Sequence, residues 1–220
     1  MKYKTKIIFS VFSLLIFSDA IVHNIFSGYS SNIGDQVYYI LCVIIYSVSA
    51  IYIVKTKSYK IYTDHIYVIL LITIPFLSLI WTEVTSITII HSVAILGTTL
   101  FGIFLYKNFN IQELLKIIFY VSLVSVIASY IFIFLSPSIG IHQTGPHIGL
   151  WKGAYAHKNI LARMITIWII SSTLYYSFVK NNKIFTISII VLMVILLIGS
   201  GGKTGLLVIF IMLTIVWPGF

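Results

Sequence analysis

The sequence predicts an all-α, polytopic membrane protein with about eight transmembrane helices. Three observations predict it: 60% of the 220 residues are hydrophobic, only 9% are charged, and the mean hydropathy is +1.07. A typical soluble domain is roughly 25% charged. No soluble fold of this size could bury so much apolar surface. The composition therefore excludes a cytosolic enzyme, a fibrous repeat and a disordered chain.

Eight apolar stretches qualify or nearly qualify as spans, because a helix needs about 20 mostly apolar residues to cross a bilayer. They do not alternate strictly between apolar and polar residues, and a helix satisfies its own backbone inside lipid. We expect one membrane domain over 1–220, with spans at about 7–26, 36–54, 61–81, 85–106, 117–136, 160–179, 184–199 and 205–217.

The last stretch is short. Residues 205–217 provide about 20 Å of helix at 1.5 Å per residue, whereas the hydrocarbon core is ~30 Å thick. No cationic tail follows them. We therefore expect the 220 residues to be the N-terminal part of a longer protein or a truncated product, with a C-terminal part missing.

Most cations fall on one side of the membrane if the eight spans alternate. The positive-inside rule places that side, and with it the N-terminus, in the cytoplasm. The first two loops on the other side contain Asp35 and Glu83 but no Lys or Arg. The ten cations on the cytoplasmic side are Lys2, Lys4, Lys6, Lys55, Lys57, Lys60, Lys107, Lys116, Lys180 and Lys183.

The other four cations break this rule and cluster at two outer loops. A helix N-terminus is already partly positive, so cations at the start of the sixth span, where Asn159 is the predicted N-cap, favour a bound anion such as phosphate. Alternatively, these side chains reach the phosphates of membrane lipids. The four are Lys152 and Lys158 in outer loop 137–159, Arg163 just beyond it, and Lys203 in the second loop.

Two features of these loops suggest other ligands, which we do not expect. His142, His147 and His157 have no Cys, Asp or Glu beside them and are surrounded by cations, so we predict no metal and assign His157 a phosphate or sugar contact. The turn at 200–205 resembles a nucleotide-binding phosphate loop. That pattern needs a glycine where the chain has Leu197, and a preceding strand. We therefore expect no nucleotide and, since an outer anion site and membrane insertion account for the charge, no nucleic acid.

Three stretches between about 75 and 217 form a recognisable set. One reads LSLIWT at 77–82, and another is the Ser-Gly-Gly-Lys-Thr turn at 200–204. The most specific is Trp151-Lys152-Gly153-Ala154-Tyr155-Ala156-His157-Lys158-Asn159-Ile160-Leu161-Ala162. Together they resemble the O-antigen ligase family, especially its exopolysaccharide production and polymerase members. The chain departs from the family at Gly202, which replaces a serine, and at His91, near a position where relatives have arginine.

The resemblance implies a membrane glycosyltransferase of surface or exopolysaccharide synthesis at the outer face of the bacterial inner membrane. Such proteins move a glycan from undecaprenyl diphosphate to an acceptor hydroxyl, without metal, nucleotide or other cofactor. It further implies that the catalytic base lies beyond residue 220. On this interpretation Lys152, Lys158, Arg163 and Lys203 contact the donor diphosphate, and His157 and Asn159 shape the site.

Two other functions fit the same pattern. A transporter or flippase for a lipid-linked oligosaccharide would use the same phosphate contacts, but should show inverted repeats and broken helices near the midplane. A non-catalytic remnant or assembly partner would explain the short last span. The sequence leaves the sugar, the linkage, the acceptor and the choice between ligase and polymerase open.

Overall fold

The computed structural model describes residues 1–20, 31–56, 66–179 and 182–215. Within them the chain is helical, apart from short turns and residues 141–157, which contain a 3-10 turn and one isolated antiparallel bridge between Ile141 and Trp151. The helices are α1 (Tyr3–Phe17), α2 (Ser31–Lys55), α3 (Ile66–Leu77), α4 (Thr85–Asn108), α5 (Ile111–Leu135), α6 (Pro137–Gly140), α7 (Lys158–Val179), α8 (Lys183–Ser200) and α9 (Lys203–Ile215). The helical fold class is confirmed for these residues.

Five of the described helices are long and apolar enough to cross a membrane. They are Gly34–Lys55, Thr85–Asn108, Ile111–Leu135, Lys158–Val179 and Lys183–Ser200. Large apolar side chains also lie exposed along their outer faces, for example Val54, Phe134 and Ile198. In water such surfaces would be costly, whereas lipid accepts them. These helices indicate a membrane protein.

The predicted count of eight spans is not supported, because three of the predicted spans correspond to shorter helices. In the first, α1 ends at Phe17, and Asp19 adopts a left-handed φ of 58°, which a helix cannot continue through. In the third, α3 contains Pro75 and gives way to a 3-10 turn after Leu77. Residues 21–26 and 61–65 of these spans, and 216–217 of the eighth, lie outside the described residues.

Helix α5 begins earlier than predicted. The prediction placed its start at residue 117, after the last charged side chain, but the helix starts at Ile111. Glu113 lies in the first turn, where a carboxylate interacts favourably with the helix dipole. The Tyr3 hydroxyl donates a hydrogen bond to that carboxylate, which joins the starts of α1 and α5.

The chain divides into two compact units, and the first comprises Met1–Gln36 and Ile111–Phe220. In it α7 packs against α5, α8 and α9, and α1 packs against α5. The fully buried side chains at the centre come from α5, α7 and α8. They include Val121, Val126, Leu161, Ile165, Met193, Leu196 and Leu197.

The second unit, Val37–Asn110, contains most of α2 together with α3 and α4. The Tyr52 hydroxyl on α2 donates to the Asn108 side-chain oxygen at 2.6 Å, and its ring meets Phe104 edge-on at 5.0 Å between centroids. Ser92 on α4 donates to the Pro75 carbonyl at 2.9 Å, which links α4 to the proline of α3.

Candidate functional site

The segment between α5 and α7 is an ordered backbone structure rather than an open loop. Its two arms pair through hydrogen bonds from His142 N–H to the Leu150 carbonyl and from Gly149 N–H to the His142 carbonyl, both 3.0 Å. The N–H groups of Lys152 and Gly153 both donate to the Gly140 carbonyl at 2.9 Å. The predicted outer loop 137–159 thus contains α6 and a 3-10 turn, and it ends where α7 begins at Lys158.

Three contacts anchor this segment on the helices below it. Tyr155 is fully buried, and its hydroxyl oxygen accepts a hydrogen bond from the Trp168 indole N–H at 3.2 Å. The Ala154 N–H donates to the Ser129 hydroxyl oxygen at 3.2 Å. The Trp151 N–H donates to the Gly199 carbonyl at 3.0 Å. The segment before α7 is therefore fixed to α5, α7 and α8 together.

His157, not Asn159, is the N-cap of α7. The His157 carbonyl accepts the N–H groups of Ile160 and Leu161, and its Nδ1 accepts the Asn159 N–H at 3.2 Å. The N-cap prediction for Asn159 was therefore wrong. That prediction relied on the general preference for Asn as an N-cap residue. In this helix a histidine nitrogen accepts the backbone hydrogen bond that an Asn side chain usually accepts.

The turn between α8 and α9 depends on glycine. Gly201 ends α8 with a left-handed φ of 65°. At Gly202 and Gly205 a Cβ atom would collide with Ala162 and Thr166 of α7, so these glycines let the start of α9 approach α7 closely. The two helix N-termini consequently lie side by side.

A cleft of about 730 Å³ opens between the starts of α7 and α9. Its polar wall is formed by Lys158, Asn159, Arg163, Lys203 and Thr204. Apolar side chains of the same two helices form its apolar wall, namely Ala162, Ile167, Ile170 and Val208. Among the described residues that line it, three are cations and none is an Asp or Glu.

Four of the six predicted site residues meet in this cleft, namely Lys158, Asn159, Arg163 and Lys203. The other two, Lys152 and His157, do not line it. His157 is occupied as the cap of α7, and Lys152 lies in the segment that packs over Gly140. Sequence reasoning missed the apolar wall of Ile167, Ile170 and Val208, although Ile167, Ile170 and Arg163 recur at helical spacing along α7.

The three loop histidines form a cluster. Their ring centroids lie 4.9 Å apart for His142 and His157, 5.4 Å for His147 and His157, and 5.9 Å for His142 and His147. Partial burial and neighbouring histidine and lysine charges lower the pKa of His142 and of His157. No group of His, Cys, Asp and Glu in the described part of the chain has an arrangement that could hold a metal ion.

Comparisons of the chain with protein-family models, curated proteins and solved structures give no match.

Proposed function

We propose that this chain binds the diphosphate of an undecaprenyl-linked glycan in the cleft between α7 and α9. In this proposal the chain takes part in moving the glycan to an acceptor hydroxyl, as the resemblance to O-antigen ligases and polymerases implies. The observation that supports the proposal most directly is the convergence of Lys158, Arg163 and Lys203 on one cleft with an apolar wall.

The electrostatics of the cleft favour an anion. Two helix N-termini contribute partial positive charge and three side chains contribute full charges, so without an anion the site is self-repelling. Arg163 can present two parallel N–H groups to phosphate oxygens, whereas Lys158 and Lys203 act as point charges. The glycan-linked diphosphate carries two negative charges, and a third develops as the glycan leaves, so the three cations match the charge of the leaving group.

The apolar wall favours an anion that has a hydrocarbon tail. Ile167, Ile170 and Val208 continue the cleft along α7 and α9, away from the cations. A polyprenyl diphosphate would contact the cations with its diphosphate and these apolar side chains with its hydrocarbon chain, whereas a free inorganic anion would contact only the cations. The volume of about 730 Å³ lies within the range of roughly 300–1,000 Å³ that small-molecule sites have.

The same geometry suits the chemistry of glycan transfer. When the bond between the sugar and the diphosphate breaks, negative charge develops on the leaving oxygens. Positioned cations at that place stabilise the transition state more than the ground state. We assign Lys158, Arg163 and Lys203 this role, and Asn159 a contact to the head group. We assign no general base among the described residues.

We further propose that the protein is a multi-pass protein of the bacterial inner membrane, with the N-terminus in the cytoplasm and the cleft at the outer face. The distribution of the ten other cations supports this orientation. The eight-span arrangement belongs to the same proposal, with α1, α3 and α9 as parts of the three remaining spans.

The test is binding of labelled undecaprenyl diphosphate to the purified chain in phosphatidylcholine nanodiscs. A hydrogen bond to a charged group contributes about 1.5–3 kcal/mol, so Arg163→Gln or Lys203→Gln should weaken binding about 10- to 150-fold. Lys116→Gln, which removes an exposed cation at the start of α5, is the matched control and should change little.

Equal affinity in all variants would contradict the diphosphate site. If phosphatidylglycerol competes for the site as well as unlabelled undecaprenyl diphosphate does, the cations make general contacts with membrane lipids instead.

The transfer step has its own test, in which nanodiscs are given undecaprenyl-diphosphate-linked oligosaccharide and a polysaccharide acceptor. Transfer that Arg163→Gln lowers supports the proposal, whereas transfer that Arg163→Gln leaves unchanged contradicts this part of it.

A further inference from the structure

The first turn of α7 is held by two histidine side chains from outside the helix. The Lys158 N–H donates to His142 Nε2 at 3.2 Å, and the Asn159 N–H donates to His157 Nδ1 at 3.2 Å. These N–H groups are among those that a helix start cannot satisfy with its own backbone. Two imidazole rings therefore do what one Ser or Asp side chain usually does.

These hydrogen bonds require both rings to be neutral. An imidazole nitrogen accepts a hydrogen bond only when it has no proton, and a protonated ring has two donors and no acceptor. His142 must therefore hold its proton on Nδ1, and His157 on Nε2. Protonation of either ring would place an N–H donor against a backbone N–H donor, and the contact would open.

We infer that His142 and His157 form a proton-sensitive clasp that holds the first turn of α7 at neutral pH and releases it on acidification. Both are positioning residues, since neither lines the cleft. What they position are Lys158, in the same turn, and Arg163, one turn further on. The value of the clasp to the protein rests on the proposed function, but the clasp itself can be observed without any ligand.

The surroundings of the clasp favour the neutral rings. The charged and titratable groups that act on it are His147 and Lys152 from the segment before α7 and Lys158 from α7 itself. Desolvation is the largest cause, and the neighbouring charges add to it, so the pKa of each ring lies below its ordinary value. An ordinary histidine has a pKa of about 6.5.

The sign of the pH dependence follows. Above about pH 6.5 the two rings are neutral in both the folded and the unfolded chain, and the clasp is complete. As the pH falls below that value, the unfolded state binds protons first, and the closed clasp loses stability. The loss is complete once the pH has passed below the lowered pKa values of the folded protein.

The experiment is residue-resolved amide hydrogen exchange of the chain in phosphatidylcholine nanodiscs between pH 8 and pH 5, corrected for the intrinsic pH dependence of exchange. The protection of the Lys158 and Asn159 amides should fall at least about tenfold on acidification, because a tenfold change corresponds to the loss of one ordinary hydrogen bond. Amides in the centre of α7, such as that of Ile169, should keep their protection.

Two variants separate a proton-sensitive clasp from a merely structural one. His142→Gln with His157→Asn keeps an acceptor at each position but cannot titrate, so its protection should not change with pH. His147→Gln removes the third ring of the cluster, which makes neither of the two hydrogen bonds, and the pH step should remain.

A wild-type chain with no pH step, or a step that persists in the double variant, would overturn the inference. The outcome is independent of the proposed function. A clasp that opens in a chain that binds no undecaprenyl diphosphate would support the inference and contradict the function. A chain that binds undecaprenyl diphosphate but shows no pH step in protection would support the function and contradict the inference.

Discussion

At the scale of single residues, Ser129 shows how a small polar side chain fixes a loop. It is fully buried on α5 and donates to the Ser125 carbonyl at 2.8 Å. Its oxygen also accepts the Ala154 N–H at 3.2 Å, at the point where Gly153 has a left-handed φ of 57° and packs against it. A larger side chain at position 129 or 153 would separate the loop from α5.

Ser129→Ala should therefore destabilise the protein. It leaves the buried Ala154 N–H without its acceptor, which costs about 1–3 kcal/mol. Ser188→Ala is the matched control, because Ser188 is exposed and bonds to the Ile184 carbonyl of its own helix, and we expect less than about 0.5 kcal/mol there. Thermal unfolding in detergent measures both, and an equal effect would refute the role of Ser129.

At the scale of helices, Trp151 determines how the loop meets the bundle. Its ring lies edge-on to Tyr130 and Phe134 of α5, at 6.5 Å and 6.4 Å between centroids. The other side of the ring lies against Gly199 of α8, where a Cβ atom would overlap it. The tryptophan thus joins the ends of α5 and α8 at the level of the cleft.

Gly199→Ala should force these elements apart. Overpacking of this kind costs typically about 1–3 kcal/mol, even though alanine favours a helix over glycine by roughly 1 kcal/mol. Gly102→Ala is the control, since Gly102 in α4 has open space around its Cβ position. We expect a lower melting temperature for Gly199→Ala and an unchanged or higher one for Gly102→Ala, and the reverse order would contradict this packing.

At the scale of the first unit, the cations separate into two groups. Phe119 near the start of α5 stacks on Tyr175 near the end of α7 and meets Phe185 at the start of α8. Lys116 and Lys183 are therefore at one end of this unit. The other end holds Lys158, Arg163 and Lys203, where α7 and α9 begin. If successive helices cross the bilayer in alternating directions, these two groups of cations lie on opposite sides of it.

Cysteine labelling in intact bacteria tests the proposed orientation. In a Cys42→Ala background, Thr144→Cys should react with a membrane-impermeant maleimide, because the proposed orientation places this loop outside. Lys116→Cys should react only after permeabilisation, because the same proposal places the start of α5 on the cytoplasmic side. Both native side chains are exposed, so access to the protein surface is equal. The opposite labelling pattern would overturn the orientation and, with it, the outer position of the cleft.

The helices were the most predictable part of the chain, and their ends were the least. The predicted spans at 85–106, 160–179 and 184–199 differ by two residues or fewer at each end from α4, α7 and α8. The start of α5 was predicted six residues too late, because the amphipathic first turn around Glu113 is polar in composition. Hydropathy reports which residues avoid water, but a helix continues wherever its backbone bonds are satisfied.

The candidate site was predictable as a list of charges but not as an arrangement. The unusual cations Lys158, Arg163 and Lys203 stood out in the sequence, and their role in binding a diphosphate stays a prediction. No feature of the neighbouring sequence indicated that Lys152 would lie outside the cleft. Nor did any indicate that the His142 ring would accept the N–H of Lys158, 16 positions later. The break of the first span after Phe17 was equally hidden within an apolar run.

Composition alone was enough to predict a set of apolar helices with unevenly distributed cations, because hydropathy and charge are properties of each segment. Which segments meet is visible only in the folded chain. Gly202 and Gly205 bring the start of α9 against α7, so that Lys203 joins Lys158 and Arg163, which precede it by 45 and 40 residues. Contacts at such separations depend on how side chains pack between helices, which no single segment contains.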